Sequence, residues 1–258
     1  MKIGLQLYSV RDKMEEDFEG TLKAVAEMGY DCVEFAGFYD RSAEEIKAML
    51  DKYGLEAVSV HQGLDFMLEK GKENIDFIKK LGVKYAAIPW MEREYHKGGE
   101  GYAKTLEKIK KLSKEIKESG IELLYHNHEM EYNLYEGKPL IDWFFDTLDK
   151  DIINPEFDLG WVKFAGYDPC GYLKNYSDRC SVIHLKDFVV KYEGTAPDDH
   201  RRMIGKSIGT GVQDVKAIMK AAEEAGAEIA IVENENGENI GSLDMAKESC
   251  AYLKSIGY

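Results

Sequence analysis

The sequence contains little cysteine and no long apolar run. The four cysteines are scattered, without a Cys-x-x-Cys pair, at Cys32, Cys170, Cys180 and Cys250. This spacing argues against a disulfide framework and indicates a reducing compartment. No apolar run approaches the ~20 residues of a membrane span. The apolar run in the N-terminal segment MKIGLQLYSV is also too short for a signal peptide. We therefore expect a soluble, cytoplasmic protein.

Positive charge is also scarce, since 34 Lys and Arg face 48 Asp and Glu, which gives a net charge of -14. An acidic surface of this kind repels nucleic-acid phosphates and anionic lipids. We therefore expect a small-molecule ligand, and neither nucleic acid nor a membrane as partner. The chain also lacks linker-like and low-complexity segments, so we expect one domain over residues 1–258.

Strand-like segments recur along the whole chain, each a short apolar run. They lie at 2–8, 32–36, 57–61, 84–89, the beginning of 123–131, 153–158, 181–187 and 228–233. Runs of four to eight apolar residues between turn signals are typical of buried strands.

Helix-like segments with apolar residues at three- and four-residue spacing separate these strands. Ser42 and Glu45 have the spacing of a capping box, which predicts a helix that runs to Tyr53. Glycine follows several of the segments as a stop signal. The other predicted helices lie at 18–28, 73–81, 102–119, 141–148, 171–176, 212–225 and 243–255.

Eight strand–helix units in 258 residues match the usual size of an α/β protein with a closed (β/α)8 TIM barrel. The alternative is a doubly wound open sheet, which would have a glycine-rich turn after the first strand. The segment Leu-Tyr-Ser-Val at 7–10 contains no glycine. The sequence therefore predicts the barrel.

The segment LLYHNHEME at 123–131 begins apolar and ends in ligand-type residues. Side chains alternate along a strand, so His126 and His128 share one face. Two imidazoles at this spacing can reach one metal ion, although one could instead be a hydrogen-bonded core histidine and the other a surface residue. Because barrel active sites lie at the C-terminal ends of the strands, this end is a candidate site.

Later strands also end in residues that bind metals, namely Asp158, His184 and Glu233. Burying such groups unpaired costs several kcal/mol, which argues against a purely structural origin. We predict that His126, Asp158, His184 and Glu233 hold one divalent ion. Two imidazoles and two carboxylates suit Mn, Co, Fe, Mg or Zn better than a structural zinc, which prefers thiolates.

Further candidates lie at the same predicted edge. We expect Glu233 or His128 to act as general base. Lys186 shares a strand face with His184, and it either stabilises a substrate oxyanion or forms a salt bridge. The predicted substrate-binding residues are Gln6, Glu34, His61, Trp90 and Trp161, of which His61 could instead be a core residue and the tryptophans an apolar wall or a cap.

The segments GLQLYSVRD, YHNHE, FDLGW, HLKDF, IGTG and VEN resemble the sugar phosphate isomerase/epimerase superfamily, the xylose isomerase-like TIM barrels, over nearly the whole chain. The resemblance implies one divalent ion, often Mn, bound by Glu, Asp, His and Glu from strands five to eight. Asp158, His184 and Glu233 fit the last three positions. His126 stands where many relatives carry the first Glu, so the acid/base pair of two glutamates used by the epimerases is incomplete.

The resemblance implies a metal-dependent isomerase or epimerase that acts on a sugar, keto sugar or sugar derivative through an enediolate. The alternatives are an inosose-type or keto-glycoside dehydratase and a non-catalytic sugar-binding subunit. An AP-endonuclease-like barrel is disfavoured by the six histidines and the charge of -14. We also expect a homo-oligomer, because Tyr95, Tyr102 and Tyr132 look exposed in loops.

Overall fold

Parallel strands close into a barrel, as the alternation of strand and helix segments predicts. The computed structural model describes residues 1–191, 202–235, 237 and 240–258. The strands in chain order are β1 Lys2–Gln6, β2 Cys32–Phe35, β3 Glu56–His61, β4 Tyr85–Ile88, β5 Glu122–His126, β6 Leu134–Tyr135, β7 Lys138–Pro139, β8 Asn154–Asp158, β9 Val182–Leu185, β10 Asp187–Val190, β11 Met203–Lys206 and β12 Ile229–Val232.

The barrel runs in the order β1, β12, β9, β8, β5, β4, β3, β2, and β1 closes it by pairing with both β12 and β2. Two short antiparallel pairs, β6 with β7 and β10 with β11, lie outside the barrel. The helices are α1 Arg11–Glu16, α2 Phe18–Met28, α3 Ala43–Tyr53, α4 Leu64–Leu81, α5 Tyr102–Lys117, α6 Leu140–Thr147, α7 Leu159–Phe164, α8 Pro169–Asn175, α9 Val215–Glu224 and α10 Ser242–Ser255.

Local sequence explains the helix ends. The predicted capping box before α3 is confirmed, since the Ser42 hydroxyl accepts from the Glu45 amide and the Glu45 carboxylate accepts from the Ser42 amide. Gly54 ends α3 at φ 73°, a left-handed conformation that glycine adopts without a Cβ clash. In between, Ile46 and Leu50 lie on one buried face at helical spacing, which anchors α3 to the barrel.

The lower part of the barrel interior is apolar, and the upper part is polar. Inward side chains form a separate buried cluster, made of Cys32, Val58, Tyr85, Ala87, Leu124, Val182, Ile229 and Ile231. Toward the C-terminal strand ends, the inward positions carry buried polar groups such as His126 and Asp158. Tyr125, between Leu124 and His126, packs outward into the main core, so the predicted alternation of β5 is confirmed.

Several helices differ from the prediction, and α1 was not predicted. Helix α4 begins at Leu64 and not at residue 73, because Leu64 and Met67 are buried at helical spacing; Gly71 then interrupts the helix at φ 49°, ψ −126°. The polar residues around Gly71 hide this first turn in the sequence. Helix α7 was not predicted. Its first turn is capped by Asp158, the last residue of β8.

The segment after β9 was predicted as a loop, and part of it is instead the β10–β11 hairpin. The Asp187 carboxylate accepts hydrogen bonds from the backbone amides of Phe188, Gly209, Gly211 and Gln213. This single side chain therefore fixes the return of the chain toward α9. The remainder of the predicted loop, residues 192–201, lies outside the described residues.

Tyr132 was expected to be exposed, and this expectation is wrong. Its side chain is 4% exposed and packs against Tyr167 and Tyr172, with ring centroids at 5.2 and 5.3 Å. Tyr95 and Tyr102 are half-buried. Association into a homo-oligomer therefore loses this part of its basis and stays a prediction.

Cys32, Cys170, Cys180 and Cys250 are free thiols, as their spacing predicted. Across the part of the chain that the structure describes, no helix combines the length and the apolar character that crossing a membrane requires.

Gly4 of β1 lies against Ile231 and Cys32 of the apolar layer, and its replacement tests the packing of the closed barrel. A Cβ at this position would come within 2.5 Å of Ile231 Cδ1 and 2.8 Å of Cys32 Sγ. We expect Gly4→Ala to lower the free energy of unfolding by about 1–3 kcal/mol in urea titrations, because overpacking a closed core displaces its neighbours. Gly63→Ala is the control, since its Cβ would meet open space. Equal stability of the two variants would contradict the packing argument.

Candidate functional site

Four ligand-type side chains converge above the apolar layer, each from the C-terminal end of a different barrel strand. His126 ends β5, Asp158 ends β8, His184 lies in β9, and Glu233 follows β12. One nitrogen or carboxylate oxygen from each of the four lies within 4.8 Å of all the others, and all four residues are buried. We call these four residues the upper cluster. The structure thus brings together the residues that the sequence predicts as metal ligands.

The distances within the upper cluster show which atoms face one another. His184 Nδ1 lies 3.0 Å from Glu233 Oε2. His126 Nε2 lies 3.9 Å from the same oxygen and 4.0 Å from Asp158 Oδ2. Two imidazole nitrogens and two carboxylate oxygens therefore share one small volume, and such a mixed set suits a divalent transition metal.

Asp158 is held in place by its own surroundings. Its Oδ1 accepts hydrogen bonds from the amides of Gly160 and Trp161, at 2.8 and 3.1 Å, and so caps α7. The Asn127 side-chain amide donates a hydrogen bond to the Asp158 carbonyl and accepts one from the Asp158 backbone N–H. Oδ2 is left buried without a hydrogen bond and turned toward the cluster. The sequence left helix capping and metal binding as alternatives for Asp158, and the geometry allows both at once.

Lys186 is buried beside the upper cluster with 3% of its surface exposed. Its Nζ lies 3.1 Å from Asp158 Oδ2, 3.4 Å from Glu233 Oε2 and 3.7 Å from Glu235 Oε2. Burial opposes the charged form, but these carboxylates outweigh it and raise the pKa of Lys186 above its usual value. The ammonium also lies 4.8 Å from the centre of the Trp161 ring. The salt bridge that the sequence offered as an alternative role is therefore present.

A second group of polar side chains lies directly beneath the upper cluster. It consists of Gln6, Glu34, His61 and Glu156, which we call the lower group. Gln6 and Glu34 were predicted to bind substrate, yet both are fully buried, and Gln6 Nε2 donates to Glu34 Oε2 at 2.7 Å. His61 Nε2 lies 2.7 Å from Glu156 Oε1. In the structure these groups contact other protein groups and not the barrel mouth.

Glu156 was missed by the reading of the sequence, although it is fully buried near the barrel axis. Its Oε1 lies 3.1 Å from His184 Nε2 and 3.4 Å from His126 Nδ1. The signal was present, because Glu156 and Asp158 are two residues apart and therefore share a strand face. Asp158 drew attention as the strand end, and the residue one layer deeper was overlooked.

The electrostatics of the histidines divide them into two kinds. For His184 and His61, burial alone would lower the pKa, but the carboxylates of Glu34 and Glu156 raise it above the usual value. For His126, burial and the neighbouring His184 lower the pKa. Neutral imidazole is the form that binds metals, so His126 is already in the right state near neutral pH.

His128 lies above His126, and its backbone is fixed from outside the barrel. Its amide donates to Glu131 Oε2 at 2.8 Å, and Tyr125 Oη donates to Glu131 Oε1 at 2.7 Å. Burial first, and then the nearby His126 and Lys186, lower the pKa of the His128 ring well below its usual value. The imidazole therefore stays neutral near neutral pH.

A cavity of about 310 Å³ opens above the cluster and is lined by Tyr8, Arg11, Trp90, His128, Glu129, Met130, Trp161 and Glu235. Trp90 is 48% exposed and Trp161 is buried, so the two predicted tryptophans border the same space from different depths. A larger cavity of about 460 Å³ lies around the other ends of the strands and contains none of the residues of the cluster. The smaller cavity is lined by His128, whose ring lies 5.1 Å from that of His126, and by Trp161, which contacts Lys186. It is therefore the cavity next to the candidate chemistry.

Comparison with known proteins agrees with this architecture. A family model described as the xylose isomerase-like TIM barrel matches residues 22–256. The inosose dehydratase of Geobacillus kaustophilus (strain HTA426) is 26% identical over 188 residues, which are 64% of this chain and 60% of that protein. The matched region thus spans less than two thirds of this relative.

Solved structures share the fold. A sugar phosphate isomerase/epimerase from Parabacteroides distasonis ATCC 8503 superposes with a TM-score of 0.81 at 24% identity, over 99% of this chain and 94% of that one. The IOLI protein, solved with a bound zinc atom, gives a TM-score of 0.74 at 13% identity over 99% of this chain and 98% of that one. At these identities the likeness supports the fold alone.

The surroundings of Glu131 predict a pH effect on stability. Burial raises the pKa of this carboxyl to about 7, although hydrogen bonds from Tyr125 and His128 oppose the shift. A carboxyl with a raised pKa binds more protons folded than unfolded, so its contribution to stability falls as the pH rises from about 4.3 to 7. Glu131→Gln removes this term, and its unfolding free energy in urea should decline less between pH 5 and pH 7 than that of the wild type, by about 2–3 kcal/mol.

The exposed Glu118, at the end of α5, provides the control for this experiment. Glu118→Gln should follow the wild-type pH dependence. Parallel curves for wild type and Glu131→Gln would show that Glu131 is ionised to the same extent in the folded and unfolded states.

Proposed function

Because the chain belongs to the xylose isomerase-like TIM barrel family, we propose that it is an enzyme that removes a proton from the carbon beside the carbonyl of a sugar, keto sugar or sugar derivative. The observation that carries the proposal is the convergence of His126, Asp158, His184 and Glu233 within 4.8 Å beneath a cavity of small-molecule size. Isomerisation, epimerisation and dehydration share this first step.

Dehydration is the outcome that we favour. Relatives named inosose dehydratase match about two thirds of the chain. His126 occupies the position at which the sequence resemblance expects a glutamate, so two ligand carboxylates are not available on opposite faces of a substrate carbon. Isomerisation or epimerisation of a keto sugar is the second candidate, and it would need another residue to return the proton.

The upper cluster fits one divalent ion. Its four donors are buried and close together, and Asp158 Oδ2 faces both the cluster and the Lys186 ammonium, 3.1 Å away, so this oxygen is directed at positive charge. His126, Asp158, His184 and Glu233 would hold the ion, with Mn favoured and Co, Mg, Fe or Zn as alternatives. When bound, such an ion polarises a carbonyl and its neighbouring hydroxyl and stabilises the negative charge that follows proton loss.

His128 is better suited than Glu233 to take the proton. Its ring lines the cavity, and its Nδ1 has no hydrogen-bond partner among the described residues. Burial alone would raise the pKa of Glu233, but the Lys186 charge and the contact with His184 hold it well below its usual value, which makes Glu233 a weak base. The pKa of His128 is lowered as well, so the preference for His128 rests on its position at the cavity and on its unpartnered Nδ1.

Lys186 and the tryptophans would then orient the substrate. The Lys186 ammonium lies 3.1 Å from Asp158, close enough to donate to an oxygen that becomes negative beside the cluster. The Trp161 ring packs near both Lys186 and His128 and offers an apolar surface to one face of a sugar. Trp90 and Tyr8 border the same cavity nearer to solvent.

The cellular setting of this activity is also a proposal. The four free thiols support a reducing compartment, which we take to be the cytoplasm. We further propose that residues 1–258 form a single domain, since the first and last barrel strands, β1 and β12, pair directly with each other.

Metal content provides a direct test of the upper cluster. We expect Asp158→Asn and Glu233→Gln each to bind far less Mn²⁺ than wild type, measured as metal per folded chain after dialysis, because each variant loses one charged ligand. Asp168→Asn is the matched control, since Asp168 also caps a helix, α8, but does not belong to the cluster. Unchanged stoichiometry in both cluster variants would refute this site.

Turnover by the wild type tests the proposed reaction. Wild-type protein loaded with Mn²⁺ should dehydrate at least one member of a panel of inososes and keto sugars. Absence of turnover on the whole panel would favour a binding subunit.

Substitution of Lys186 separates chemistry from stability. Lys186→Met should reduce turnover at least about tenfold, or ~1.4 kcal/mol of transition-state stabilisation, while the metal is retained. The exposed Lys163→Met is the control. A variant that melts early but keeps its turnover per folded molecule would make Lys186 a structural residue.

A further inference from the structure

We propose that Glu34 and Glu156 are positioning residues that determine which nitrogens of His126 and His184 are free to bind a metal ion. This inference rests on the metal site proposed above. Both carboxylates lie beneath that site, and neither belongs to the upper cluster. They act on the ion only through the two histidine rings.

The two nitrogens of His184 face opposite partners. Nδ1 lies 3.0 Å from Glu233 Oε2 in the upper cluster. Nε2 lies 2.7 Å from Glu34 Oε2 and 3.1 Å from Glu156 Oε1 in the lower group. One side of the ring is therefore turned toward the proposed ion and the other toward two buried carboxylates.

The His126 ring also has one nitrogen turned toward the upper cluster and the other toward the lower group, but the roles of Nδ1 and Nε2 are exchanged relative to His184. Its Nε2 faces Asp158 and Glu233, at 4.0 and 3.9 Å. Its Nδ1 lies 3.4 Å from Glu156 Oε1. Glu156 thus lies beneath both proposed histidine ligands and can control both rings.

The carboxylates themselves are fixed from below. His61 Nε2 lies 2.7 Å from Glu156 Oε1 and 3.2 Å from Glu34 Oε2, so it ties the pair together. Gln6 Nε2 donates to Glu34 at 2.7 Å. The His61 ring stacks on the His184 ring at 5.2 Å with an angle of 8° between the planes. Little freedom remains for either carboxylate to turn away.

The chemistry of imidazole gives this arrangement its consequence. A neutral imidazole has one N–H and one lone pair, and a metal takes the lone pair. A carboxylate at the other nitrogen holds the N–H there, fixes the tautomer and makes the ligating nitrogen more basic. Glu34 and Glu156 would therefore leave Nδ1 of His184 and Nε2 of His126 as the ligating atoms.

The lower group could instead be thought to bind a second ion, because His61, His126, Glu156 and His184 also place ligand atoms within 4.8 Å. Two ions would require His126 and His184 to bind metal through both nitrogens, so each ring would have to lose both N–H protons. A single ion above, with the carboxylates of Glu34 and Glu156 within 3.4 Å of the opposite ring nitrogens, needs no such deprotonation. We therefore infer positioning and not a second site.

Titration of metal-free protein with Co²⁺ alone, in competition with a chelator, tests the inference without any substrate. Glu156→Gln should bind Co²⁺ about 10- to 100-fold more weakly than wild type, because an amide orients an imidazole N–H less strongly. Its stoichiometry and the positions of its visible Co²⁺ absorption bands should stay unchanged, since the ligands themselves are the same. Glu34→Gln should show a fall of the same kind, and it serves as the second variant if Glu156→Gln does not fold.

Glu131→Gln is the matched control, because Glu131 is another fully buried glutamate that touches neither His126 nor His184 in the structure. It should bind Co²⁺ like wild type.

Wild-type affinity in Glu34→Gln and Glu156→Gln, alongside weakened binding in Asp158→Asn, would overturn the inference and leave the metal site standing. Altered absorption bands in Glu156→Gln with normal bands in Asp158→Asn would make Glu156 a ligand. Wild-type protein that binds no Co²⁺ would overturn the metal site and, with it, this inference.

Discussion

The upper half of the barrel depends on the mutual neutralisation of buried charges. An unpaired carboxylate in the protein interior costs several kcal/mol, and breaking a buried pair leaves one partner uncompensated. Asp158 and Glu233 meet the Lys186 ammonium, while Glu156 meets His61 and His184. The positions of these side chains are therefore linked, and the apolar layer beneath them supplies the rigid base on which they are arranged.

Because every second residue of a strand points inward, the paired charges lie at two levels along the barrel axis. Glu156 and Asp158 are successive inward residues of β8, and one serves the lower group while the other serves the upper cluster. On the neighbouring strand, His184 lies within β9 and Lys186 one step nearer the mouth, beside Asp158. The strand β8 thus contributes a proposed metal ligand and a supporting residue, and β9 with the residue after it contributes a proposed metal ligand and the proposed oxyanion partner.

The sequence allows prediction of the barrel and of the upper cluster, because the carboxyl ends of parallel strands converge and Asp158, His184 and Glu233 each follow an apolar run. It does not reveal how deep a residue lies. Depth depends on the stagger between strands, which belongs to the closed barrel and not to one strand. Glu34 was for this reason placed at the mouth, and Glu156, between Pro155 and Phe157, was overlooked.

The same two carboxylates, Asp158 and Glu233, face both Lys186 and the proposed ion. On the side of the cavity, a divalent ion and the ammonium would carry three positive charges against the two of these carboxylates, while Glu34 and Glu156 lie on the far side of the histidine rings. Lys186 lowers the pKa of the nearby Glu235, but burial and Glu233 together raise it above its usual value. Positive groups fixed on the side of the cavity stabilise an oxyanion as it forms. The charge arrangement that stabilises the fold would therefore also favour removal of a proton beside a carbonyl.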